Sequence, residues 1–330
     1  MPILLRSLLL VFLVASTGIA DGRRLEVLFL GDHGHHQPAE RFFDLLMGVG
    51  PRGINLTYTD RLEDLNPENL AKYDALAIYA NIDNITPAAE KALIDYVRGG
   101  GGLVPIHCAS YCFQNSPAYI RMVGGQFAKH GTGTFTTKIV APNHPIMRGF
   151  EGFETWDETY EHTKNNKDRT VLQVRGDEPY TWIRNEGQGR VFYTAYGHDE
   201  RTFRNHGFWD LMARGIVWAA GDRAAAELAA LKVEPFKYDP GFEVPNYEKR
   251  DPAPQLQEPL PAEESKKHIQ WPVDMELTLA AEEPLIVNTI ELDWDERGRL
   301  WTVESVDYPN EITPGGPGNG TRWSARSPSS

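Results

Sequence analysis

Cysteine is nearly missing from this chain: 330 residues hold two, Cys108 and Cys112. One pair of thiols cannot staple a protein of this size, so the fold must rest on a hydrophobic core. Four residues apart on a helix, the two sulfurs suit a disulfide poorly, and two partly buried thiols are expected. Clustered positive charge is missing too. Lys and Arg number 33 against 46 Asp and Glu, a formal charge of -13, and no basic stripe occurs anywhere. That excludes a nucleic-acid surface, which needs grouped cations to meet phosphates. Beyond the N-terminus no apolar run is long enough to span a bilayer. The spacings H-E-x-x-H, C-x-x-C and C-x-x-C-H do not occur, so the common zinc and haem signatures are absent. No nucleotide cofactor is expected.

What the N-terminus does carry is Arg6, the apolar run Ser7 to Ala15, and the small residues Thr17, Gly18 and Ala20 before Asp21. Charged, apolar, small is the order of a secretory signal. Residues 1–20 are read as a signal peptide cleaved after Ala20. The mature protein is then exported, periplasmic or extracellular, with no stable membrane span.

Residues 25–222 alternate between strand-like and helix-like stretches. "LEVLFLG" (25–31), "DALAIYA" (74–80) and "LVPIH" (103–107) are short apolar runs of the kind buried on both faces of a parallel sheet. Between them, residues 39–49 gather Phe42, Phe43, Leu45, Leu46 and Val49 on one broad helical face, and Thr86-Pro87 opens a second helix lined by Ala89, Leu93 and Val97. This spacing implies right-handed βαβ units. Strands are further expected over "GTFTTKIV" (133–140), "RTVLQV" (169–174), "YTWIRN" (180–185) and "RVFYTAYG" (190–197), before a closing helix over about 205–220. Residues 223–273 hold eight prolines between 235 and 272 and read as a linker or strap. Residues 274–330 show a hairpin around "DERG" and a low-complexity tail expected to be disordered, as if a further domain were begun and not completed.

Ligands of parallel α/β sheets sit beyond the carboxyl ends of the strands. Three expected strands end there in histidine: "GDHGHHQP" carries His33, His35 and His36, "LVPIH" carries His107, and "YGHDE" carries His198. Imidazole serves both as acid/base near neutral pH and as metal ligand. "FETWDETYEH" adds Asp157, Glu158, Tyr160 and His162, of whose adjacent carboxylates one can turn inward while the other caps a turn. Such a mixed set suits zinc or another divalent metal. After "LVPIH" the elbow residue is either His107 or Cys108, and a thiolate there would need a neighbouring base such as His198.

The motifs "YVRGGGGLVPIHCAS", "GGQFAKH", "NHPIMRGF", "WDETYEH", "GQGRVFYTAYGHDE" and "WDLMARGIVWAAGD" follow one another as they do in the ThuA-like (trehalose utilisation) family. The chain resembles that family over roughly residues 25–221, within the class I glutamine amidotransferase-like superfamily. The resemblance implies an α/β fold with a doubly wound, mostly parallel, flavodoxin-like sheet, and a role in the metabolism of disaccharides or their oxidised derivatives. It also implies that His107 is the strand-end residue and that Cys108 fills a position usually small. Its pattern residues fall on His107, His130, His144, Asp157, Glu158, Tyr160 and His198. The segment 275–312 resembles the start of the propeller of bacterial membrane-bound dehydrogenase-like proteins.

The expectation is therefore an exported, metal-assisted hydrolase or lyase acting on a small carbohydrate. His107, Asp157, Glu158, Tyr160 and His198 are its candidate catalytic residues, and His33, His36, His107, His130 and Glu158 the candidate metal ligands. A second copy of the chain is a compatible partner. The rival readings are a sugar-binding module of a larger oxidoreductase and an amidohydrolase using Cys108.

Overall fold

The computed structural model describes residues 22–234 and 256–304, with backbone strand segments at 238–239 and 322–326. The signal-like segment 1–20 and most of the low-complexity tail lie outside the described residues.

The apolar run Leu25–Leu30 (β1) is buried almost throughout and forms the inner strand of an eight-stranded sheet. Ile54–Thr59 (β2), Ala75–Ile78 (β3), Gly102–Pro105 (β4) and Gly189–Thr194 (β12) run parallel to it in the order β2-β1-β3-β4-β12. The sheet continues antiparallel through Glu178–Glu186 (β11), Thr170–Arg175 (β10) and Lys138–Ile139 (β7). Strand order reverses between β1 and β3, the doubly wound arrangement that opens a crevice at their carboxyl ends. Strand β2 has no counterpart in the sequence reading. Asn55, Thr57 and Thr59 interrupt its apolar residues, as suits a strand at the sheet edge.

Helices cover the sheet. Pro38–Val49 (α1) starts on a proline, and the single turn Pro67–Leu70 (α2) is capped by Asn66. Pro87–Arg98 (α3) is capped by the Thr86 hydroxyl and buries Ala89, Ala92, Leu93 and Val97. Pro117–Val123 (α4) and the short Glu200–Phe203 (α5) follow, and His206–Ala219 (α6) buries Phe208, Leu211, Met212 and Ile216. Gly221–Leu231 (α7) packs back on the domain: Ala224 is buried, and Glu227 pairs with Arg23 at 2.7 Å.

Small antiparallel pairs lie outside the main sheet. Gln126–Lys129 (β5) pairs with Glu161–Thr163 (β9), and Thr132–Thr136 (β6) with Glu154–Glu158 (β8). The expected strand 133–140 is thereby divided: β6 and β7 serve different sheets. Farther on, the Pro-rich stretch includes one helical turn, Ala262–Lys266, followed by a strap along β2. Arg24 donates to the Lys267 carbonyl at 2.5 Å, Gln270 donates to the Leu56 carbonyl at 2.9 Å, and Lys72 pairs with Asp274 at 2.9 Å. The hairpin around "DERG" is Thr289–Trp294 paired with Leu300–Glu304. Arg322–Arg326, in the tail expected to be disordered, adds a third antiparallel strand.

Candidate metal centre

Three loops at the carboxyl edge of the parallel strands, those after β1, β4 and β12, each send one histidine to a common point. After β1, the Asp32 carboxylate accepts the Gly34 amide at 2.6 Å and the Asn81 amide at 2.5 Å, tying the loop to the end of β3. Gln37 then takes a left-handed φ of 53° ahead of Pro38. The tight turn directs His36 inward and leaves His33 and His35 exposed.

After β4 the chain turns at His107 itself, which is fully buried and has φ 47°. A left-handed histidine at a strand end is strained, and such strain persists only where its surroundings enforce it. Here the Nδ1–H donates to the Ala195 carbonyl at 2.6 Å, which leaves Nε2 as a lone pair, and the ring stacks on Tyr160 at 4.0 Å.

After β12 comes Gly197, with φ 130°; a Cβ there would sit 3.3 Å from the His107 Cβ. Its carbonyl accepts from the Tyr79 hydroxyl at 2.6 Å, and the loop presents His198.

Glu158, at the end of β8, completes the group. His36, His107, Glu158 and His198 each bring one ligand atom, and all four atoms lie within 4.8 Å of one another. The Glu158 carboxylate is 3.3 Å from His107 Nε2 and 3.3 Å from His198 Nδ1. His36 Nε2, His107 Nε2 and His198 Nδ1 are buried without a hydrogen-bond partner among the described residues. Three orphaned imidazole nitrogens facing one carboxylate are what a divalent cation would satisfy. The Asn81 Nδ2 lies 3.3 Å from His36 Nδ1. With that amide turned over, its Oδ1, unpartnered among the described residues, would accept from Nδ1–H and free the His36 Nε2 lone pair for a ligand. Burial, with His107 next, holds His36 far below the ordinary histidine range and keeps it neutral. Burial pushes the Glu158 carboxyl up, but His107 and His198 outweigh it and hold it well below the usual carboxylate range. The same contact with Glu158 raises His198.

Over this group lies a pocket of about 300 Å³ lined by His35, His36, Asn81, Tyr111, Phe127, His130, Glu158 and Tyr160. That is the lower end of small-ligand sites, about 300–1,000 Å³.

The structure places the other expected residues differently. His33 stands outside the group, 89% exposed and 3.1 Å from Asp60, because the β1 turn aims His36 inward instead. His130 lies on the pocket rim, its Nδ1 3.4 Å from Glu158, and is not among the four. Asp157 points away from the pocket. Its oxygens accept from the Glu158, Gly197 and His198 amides and from the Thr202 hydroxyl at 2.8–3.0 Å, so it positions the site rather than touching a substrate. His144 accepts the Ile146 amide at 3.3 Å in its own turn.

Cys108 and Cys112 are free and buried, and burial pushes the Cys108 thiol well above the usual range. A thiol held protonated and out of reach is no nucleophile. Titrating the native protein with a disulfide reagent at pH 8 is expected to detect no reactive thiol, and both after denaturation. A native Cys108 that reacts rapidly would restore the amidohydrolase reading.

A flavodoxin-type α/β domain with a histidine–carboxylate group at its strand-order reversal is the class of protein defined by this fold and site. Residues 26–219 match the ThuA, trehalose utilisation, family, and the chain belongs to it. Residues 261–324 match a second family, a domain of unknown function. Among solved structures, the chain is similar to a putative ThuA-like protein from Parabacteroides merdae, at 18% identity and TM-score 0.54, covering 60% of this chain and 90% of that one. A putative ThuA-like protein from Bacteroides uniformis is similar at 23% identity and TM-score 0.51, covering 62% and 94%. No curated protein sequence matches the chain.

Proposed function

We propose that this protein is a divalent-metal-assisted hydrolase or lyase acting on a small carbohydrate. One observation carries the reading: three buried imidazole nitrogens without partners converge on one carboxylate at the floor of an aromatic-lined pocket. Zinc or a similar ion held by His36, His107, His198 and Glu158 would supply Lewis acidity toward a substrate oxygen. The chain's own groups do the rest. Tyr111 and Phe127 offer faces for a sugar ring and exclude water from one side of it, with Tyr160 buried between Phe127 and His107. His130, on the rim beside Glu158, is placed to hold or pass a proton at a leaving or entering oxygen. Family membership supports a carbohydrate role. The order Arg6, Ser7 to Ala15, Ala20 supports export.

Elemental analysis of the purified, reconstituted protein is expected to give one metal per chain. A panel of disaccharides and their keto forms is expected to show turnover that a chelator abolishes and the metal restores. Protein that takes up no stoichiometric metal defeats the metal-assisted reading. Sugar binding that survives His107→Ala, with no turnover in wild type, would favour a binding module instead.

A further inference from the structure

From the His107 carbonyl runs a chain of buried polar groups outside the proposed metal group. His162 is fully buried, and Glu178 Oε1 accepts both its backbone amide, at 2.9 Å, and its Nδ1–H, at 3.2 Å. With that proton committed, Nε2 presents a lone pair, and the Tyr193 hydroxyl 2.9 Å away donates to it. The Tyr193 oxygen also lies 3.1 Å from the His107 carbonyl and 3.0 Å from Ser110 Oγ, while Ser110 donates to that carbonyl at 3.0 Å. Two hydroxyls therefore stand ready for one acceptor, the carbonyl of the residue with φ 47°.

A left-handed histidine relaxes by rotating its peptide unless both ends are held. The ring is held through Nδ1 by Ala195, and the carbonyl by this pair of hydroxyls. We propose that Ser110 and Tyr193, backed by His162 and Glu178, are positioning residues that lock His107 in its strained turn and aim its Nε2 lone pair into the metal group. The consequence for metal binding rests on the function proposed above; the placement of the ring does not. Either hydroxyl can serve the carbonyl when the other is lost: Tyr193 turns its proton from His162 to the carbonyl when Ser110 is gone. Loss of both leaves the carbonyl without either donor.

The test is a cycle of Ser110→Ala, Tyr193→Phe and the double variant, read by Co²⁺ titration, the visible Co²⁺ spectrum and thermal melting. Each single change is expected to weaken Co²⁺ binding only a few-fold. The double change is expected to weaken it about 10–100-fold, the range typical of lost outer-shell support, and by more than the product of the singles. Its visible spectrum should change, and its melting temperature should fall by more than the sum of the single effects, because only the double change leaves the buried carbonyl without either donor. A double variant that binds Co²⁺ like wild type, with the same spectrum, overturns the proposal. Long-range ¹H–¹⁵N NMR of the metal-free protein reads the ring without any metal. Wild type should show His107 as a single Nδ1–H tautomer and the double variant a mixture; an unchanged single tautomer also overturns it. Wild type that binds no Co²⁺ defeats the metal reading alone, and the NMR result then decides the positioning.

Discussion

Glu158→Gln is expected to abolish stoichiometric metal and reduce turnover to background. Glutamine has nearly the size and shape of glutamate, so the aromatic pocket and β8 stay in place. What disappears is the one negative charge among three imidazoles. A neutral amide is a poor ligand for zinc and puts an N–H group where a second lone pair stood. The loss in affinity should exceed the about 10–100-fold that follows removal of a mere outer-shell partner. A second readout needs no substrate. Glu158 raises His198, so in the metal-free variant His198 must titrate at lower pH than in wild type. The stability effect has the opposite dependence on pH. Glu158 is depressed in the folded state, so its stabilising contribution is present above its unfolded value and lost as pH falls through the folded one. Wild type and variant should therefore differ most at neutral pH and converge in acid. Metal content and turnover equal to wild type would remove Glu158 from the centre.

Much of this arrangement was legible in the residues. The apolar strands with histidine at their carboxyl ends placed His107 and His198 at one edge, and the acidic stretch after Phe153 supplied Glu158. Choosing among neighbours was harder. Nothing in the spacing of His33, His35 and His36 says which turns inward; that depends on the Asp32 turn and on the left-handed Gln37. Asp157 and Glu158 look equivalent as sequence, yet they are successive residues of β8 and so point oppositely, one to the His198 loop and one to the pocket. The hydroxyl pair at His107 left no local signal at all, since Tyr193 is 86 residues away in the chain. Strand β2 escaped because Asn55 and Thr59 break its apolar pattern, though both are buried and satisfied by Arg24, Glu26 and Asp64.

Asp157 carries the largest expected cost in stability. It is fully buried, and each carboxylate oxygen faces two donors: Oδ1 the Glu158 and His198 amides, Oδ2 the Gly197 amide and the Thr202 hydroxyl. Burial pushes its pKa up, against donors that favour the charged form. Asparagine would fit the space but not the chemistry. Its NH₂ must face a backbone N–H whichever way the amide turns, because both oxygens face at least one. Leaving such groups unsatisfied in the interior costs about 1–3 kcal/mol each, so Asp157→Asn should destabilise the domain by about 2–4 kcal/mol. At about 2–4 °C per kcal/mol for a domain of this size, the melting temperature should fall by about 5–15 °C. Asp157→Ala, which orphans all four donors, should fall at least as far. The same change frees the Gly197–His198 loop from β8, so metal affinity should fall with stability although Asp157 is no ligand. Thermal melting together with Co²⁺ titration separates this from the Glu158 effect, which removes metal with little change in melting of the metal-free protein at acid pH. An Asp157→Asn protein that melts within about two degrees of wild type would show that the four donors find other partners, and that Asp157 is not needed to hold the His198 loop.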